Sequence, residues 1–187
     1  MWKQNRELWL SLLAVTCITL VYALFTQQTH LIPPASGLFG HLIGVIGFLF
    51  MLMAETLYSY RKRSHKAFWG KMSNWLQFHI FTGIVGPYMV LLHTSWKFNG
   101  LAGAALVLTI IIVFSGFVGR YIYTRIPRTV DGVEILSSSS EEQALNLVKM
   151  RRTLAVWYAI HIPIGVALFV ASFIHIIAAL YYSTLLF

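Results

Sequence analysis

Five long apolar stretches separated by short polar ones dominate the chain. They run from about Leu8 to Thr26, Gly37 to Tyr60, Trp75 to Trp96, Leu101 to Tyr123 and Leu154 to Leu185. Each is long enough to cross a hydrocarbon layer about 30 Å thick as a helix. The stretches are continuously apolar and do not alternate, which points to helices and away from a β-barrel. The expected fold is therefore all-α: an integral membrane bundle of five transmembrane helices, forming one domain over residues 1–187. The first stretch follows Lys3 and Arg6, as a signal peptide would. It reads as a span, because the apolar run is long and Gln27, Gln28, Thr29 and His30 follow it in place of a small-residue cleavage site.

Composition agrees with the pattern. Hydrophobic residues make up 58% of the chain and charged ones 11%, more apolar surface than a soluble domain of this size can hide. The formal charge of +8 does not indicate nucleic acid, since the basic residues sit at the ends of apolar stretches and form no soluble basic face. They report topology instead. Lys3 and Arg6 precede the first span; Arg61, Lys62, Arg63, Lys66 and Lys71 separate the second and third. Arg120, Arg125, Arg128, Lys149, Arg151 and Arg152 lie around the loop at about 124–153, and the opposite side has only Lys97. The positive-inside rule puts the N-terminus in the cytoplasm and the C-terminus outside, expected in a bacterial cytoplasmic membrane. In the long loop, Pro127 should stop the fourth helix and Asp131-Gly132 should turn. Ser139, Ser140, Glu142 and Gln143 resemble a capped helix start, leading a short helix into the fifth span.

Candidate chemistry lies in the histidines. His79 and His93 are fourteen positions apart on the third span, and His161 and His175 are fourteen apart on the fifth. Fourteen helical steps turn through about 1400°, some 40° short of four turns, and rise about 21 Å. Each helix thus carries two imidazoles on nearly one face, one near each membrane surface. One crossing separates the two spans, so they run in the same direction. His79 then shares a depth with His161 on the cytoplasmic side, and His93 with His175 on the outer side. Two facing imidazoles can supply both axial ligands of a haem iron, so a haem-binding core is expected. The single Cys17 and the lack of Cys-x-x-Cys-His exclude covalent c-type attachment. Zinc fits less well, because two histidines leave its shell incomplete.

Gly83, Gly86 and Gly165, with Ser172, give a flat macrocycle room beside these ligands, although glycines in membrane helices commonly serve packing. Pro87 and Pro163 each remove a backbone donor inside these spans. Arg120, together with Arg125, Arg128 and Lys97, could pair with haem propionates, against simple anchoring as the alternative. Gly37, Gly40, Gly44 and Gly47 form a small-residue surface on the second span, suited to close helix packing or a dimer contact. His41 and Glu55 on the same span are candidates for a quinone or proton site, and His41 is the rival outer ligand; a plain hydrogen bond and an ion pair are favoured. His30 and His65 fall in loops and are not expected to ligate. Trp69, Trp75, Trp96, Tyr181 and Tyr182 fit interfacial belts.

The two His-x13-His helices with one crossing between them resemble the membrane cytochrome b group, and more closely the ferric-reductase-like transmembrane domain. The resemblance covers residues 37–185, and Leu92-His93-Thr94 and Gly119-Arg120-Tyr121 are similar to small bacterial members. It implies that His79, His93, His161 and His175 hold two haem b groups. Flavin- and nicotinamide-binding domains follow the last span in reductases of this group, and no Gly-rich nucleotide loop occurs here. Electrons are then expected to come from, or go to, a separate redox partner protein or the quinone pool, with quinone the further candidate cofactor. The expected function is transmembrane electron transfer, as a subunit of a larger respiratory oxidoreductase or as a homodimer in the lipid bilayer. A stand-alone ferric-reductase-like or superoxide/quinone oxidoreductase, a histidine-based metal-ion transporter and a structural anchor are the alternatives.

Overall fold

A computed structural model describes residues 5–64, 70–126 and 141–185, and among them every regular element is a helix. The helices are α1 (Arg6–Thr29), α2 (Leu38–Arg63), α3 (Met72–His93), α4 (Gly100–Thr124) and α5 (Glu141–Leu185). All five are long and apolar enough to cross a membrane, which marks a multi-pass membrane protein. Large side chains such as Leu12, Leu13, Leu20, Phe114, Val166 and Ile177 are exposed, as lipid-facing positions require.

Contacts divide the chain into two compact units, Met1–Phe98 and Asn99–Phe187. In the first, α2 and α3 form the principal helix pair and α1 packs on α3. Glycine sets how closely α2 and α3 approach. A Cβ on Gly47 would lie 2.9 Å from the Gly86 carbonyl oxygen, and a Cβ on Gly86 would lie 2.8 Å from the Gly47 carbonyl oxygen. Beside this crossing, Ile43, Val85, Met89 and Leu92 make a buried cluster, onto which Ala14, Ile18 and Tyr22 of α1 pack. The Thr19 and Tyr88 hydroxyls, 2.5 Å apart, tie α1 to α3. Pro87 sits inside α3 without ending it, and its missing N–H leaves the carbonyl of Gly83 without its usual helical donor.

The end of α3 differs from the expected span. The helix stops at His93, three residues before Trp96. Thr94 closes it with N–H bonds to the Val90 and Leu91 carbonyls, and Ser95 and Trp96 then turn left-handed at φ 50° and 62°. Left-handed backbone is costly for residues with a Cβ. Here the Ser95 hydroxyl donates to the Pro33 carbonyl at 2.5 Å, holding the turn against the α1–α2 connection.

In the second unit, α4 and α5 pair. Ile126, Leu147 and Leu154 form its buried cluster, with Ile122, Met150, Trp157 and Tyr158 packed around it. The helix expected near Glu142 and the fifth span are one helix of 45 residues. At 1.5 Å per residue this is about 68 Å, more than twice the hydrocarbon thickness, so one end of α5 extends past the bilayer core. The expected stop at Pro127, the turn at Asp131-Gly132 and the serines 139 and 140 lie outside the described residues, as do His65, Lys66, Trp69 and Arg128.

Candidate functional site

The two histidines of α3 are anchored alike. His79 places its Nδ1 2.7 Å from the carbonyl oxygen of Ala54, and His93 places its Nδ1 2.9 Å from that of Gly40. A carbonyl oxygen can only accept, so in both rings Nδ1 carries the proton and donates it. The lone pair is then left on Nε2, the tautomer a metal-ligating imidazole needs.

These contacts share one register. The pairs Gly40 with His93, Gly47 with Gly86, and Ala54 with His79 run antiparallel, and the two residue numbers of each pair add to the same value. The glycine crossing therefore lies midway between the imidazoles, two helical turns from each. Within α2, the residue one turn beyond each acceptor touches the ring that acceptor holds. Tyr58 lies 4.9 Å from His79, centroid to centroid. A Cβ on Gly44 would come within 2.7 Å of the His93 ring.

His161 of α5 is held differently. Its Nδ1 lies 2.9 Å from the Ser115 hydroxyl of α4, and either group can donate. Trp157, one turn earlier on α5, stacks on the imidazole at 4.5 Å and 28°. The Trp157 indole N–H donates to the Ser115 carbonyl at 2.7 Å and to its hydroxyl at 3.1 Å. Gly119 makes this seat, because any Cβ there would collide with the indole. His175 is half-buried, fourteen positions further along α5.

The remaining predicted residues fall as follows. Gly83, one turn after His79, faces open space among the described residues, with none of their atoms within 4 Å of a Cβ built there. Gly86 is occupied by the crossing with α2. Gly165 is buried and Ser172 half-buried on α5, and Arg120 is half-buried next to Gly119. Arg125 lies over the Tyr121 ring at 4.2 Å. On α2, Gly44 and Gly47 face α3, whereas Gly40, like Gly37 before the helix, lies against Pro34 of the preceding connection. His41 is exposed, its Nδ1 3.3 Å from the Gly37 carbonyl and its ring 6.2 Å from that of His93. Glu55 is half-buried beside Ala54.

Arg61, three residues after Tyr58, donates through Nη2 to the Gly70 carbonyl at 3.3 Å. Its Nε is buried and makes no hydrogen bond among the described residues. Also among them, no three or more His, Cys, Asp or Glu side chains converge as a stand-alone metal shell would require. Sequence reasoning missed the Ala54 and Gly40 carbonyls, Ser115, Trp157 and the buried Nε of Arg61. Comparison with family models, curated protein sequences and solved structures found no match to this chain.

Proposed function

We propose that this chain is a b-type cytochrome that binds two haems and passes electrons from one membrane face to the other. The observation that carries the reading is the matched anchoring of His79 and His93, which leaves both Nε2 atoms as lone-pair donors on one helix. His79 and His161 would hold one haem and His93 and His175 the other, a pairing that rests on the shared depths read from the spans. Bound there, haem supplies one-electron exchange at its iron.

The residues present suit that group. Gly83 leaves open space one turn from His79 among the described residues, on the side where a flat macrocycle would need it. The buried Nε of Arg61, which makes no hydrogen bond among the described residues, is a cationic donor suited to a propionate carboxylate. The chain's own part is to fix the imidazole tautomers, to set the ligand spacing at about 21 Å along each helix, and to exclude water between the two levels. Basic loop residues favour an orientation with the N-terminus inside, and a bacterial cytoplasmic membrane is the proposed setting. The redox partner is a separate protein or the quinone pool, which makes a subunit of a larger oxidoreductase the favoured setting. The test is a reduced-minus-oxidised visible spectrum of the purified protein with a pyridine haemochrome count. Two low-spin b-type haems per chain are expected; colourless folded protein would overturn the reading and favour a histidine-based metal transporter.

A further inference from the structure

His79 and His93 bond to carbonyls and His161 to a hydroxyl. The difference has chemical content. An amide carbonyl is a strong acceptor, and a proton shared with it lends the imidazole anionic character, raising its basicity as a ligand. A serine hydroxyl is a weaker acceptor. This one also shares its oxygen with the Trp157 N–H at 3.1 Å. Less charge is then pushed onto His161.

We infer that Ser115 is the positioning residue of His161, and that its hydroxyl, held by Trp157, makes His161 a weaker-donating ligand than His79 or His93. The inference rests on the dihaem reading and deepens it. Ser115 fixes the ring direction from α4, while Trp157 fixes the ring plane by stacking from one turn below on α5. Gly119 completes the set by leaving room for the indole. A weaker donor stabilises ferric iron less, so the haem bound through His161 is tuned separately from its neighbour.

The test is a potentiometric titration of the purified, haem-loaded chain, followed by low-temperature EPR, for wild type, Ser115→Ala, Ser115→Thr and Trp157→Phe. Ser115→Ala removes the acceptor, and one of the two midpoint potentials should rise. A tenfold change in the reduced-to-oxidised ratio is about 59 mV for one electron. That haem should also be released about tenfold faster, the lower end of what outer-shell losses cost. Ser115→Thr keeps the hydroxyl and should restore both values. Trp157→Phe keeps a stacked ring and frees the hydroxyl to accept more strongly, so the same potential should fall. Two haems in the wild type with both potentials unmoved by Ser115→Ala and Trp157→Phe would overturn the inference and leave the dihaem reading standing. Equal movement of both haems would also overturn it, since a general loosening predicts that. Absence of haem in the wild type would instead remove the dihaem reading itself.

Discussion

Gly44 and Gly83 both lie near an α-helical histidine, yet a side chain would meet different surroundings at each. At Gly44 a Cβ would press on the His93 ring at 2.7 Å, and overpacking of this kind costs about 1–3 kcal/mol. Gly44→Ala should therefore lower thermal stability and displace the His93 ring from the Gly40 carbonyl; a melting curve with a haem count checks both. At Gly83 nothing among the described residues lies within 4 Å, so Gly83→Phe should keep wild-type helix content by circular dichroism. It should nevertheless lose cofactor, because the benzyl group fills the space beside His79. A Gly83→Phe protein with wild-type haem content would show that this space is not used. At this scale the sequence is only partly legible. The histidines stand out because ionisable groups are rare in spans. The acceptors of His79 and His93 do not, because every residue carries a carbonyl and nothing in the identities of Gly40 or Ala54 marks theirs. Ser115 and Trp157 look like ordinary span residues until α4 and α5 are paired.

The α2–α3 pair acts as a ruler for its two imidazoles. The Gly47–Gly86 contact fixes the separation of the helices, and the register places one carbonyl opposite each histidine, two turns to either side. Gly47→Val should force the helices apart at the crossing and weaken both His79 and His93 contacts at once. The expected result is loss or perturbation of both haem signals in one variant, seen by EPR, although position 47 touches neither ring. A change confined to one signal would contradict the ruler. The glycines at 37, 40, 44 and 47 were legible as a small-residue surface, and two of them, Gly44 and Gly47, provide the close approach to α3. Which helix they face was not legible, since a dimer contact uses the same small residues. Helix α3 ends at His93, three residues before the apolar stretch does, because the chain is capped at Thr94 and then turns. The left-handed turn at Ser95 and Trp96 has no sequence mark, as neither residue is glycine.

For the whole molecule, the spans and their all-α class were legible from hydropathy alone, because a bilayer demands about twenty apolar residues and internally bonded backbone. The orientation proposed from the loop charges has its own test. In a Cys17→Ser background, single cysteines in place of Lys97 and Lys62 should react with a membrane-impermeant thiol reagent from opposite faces, position 97 from the outside of intact cells. Labelling of both from one face would break the five-span topology. The most direct measurement of the central claim is the haem-to-chain ratio of purified His79→Ala and His93→Ala beside the wild type. Two haems are expected in the wild type and one in each variant, with different spectra remaining in the two. A ratio that neither substitution changes, or a wild type that binds none, would contradict it.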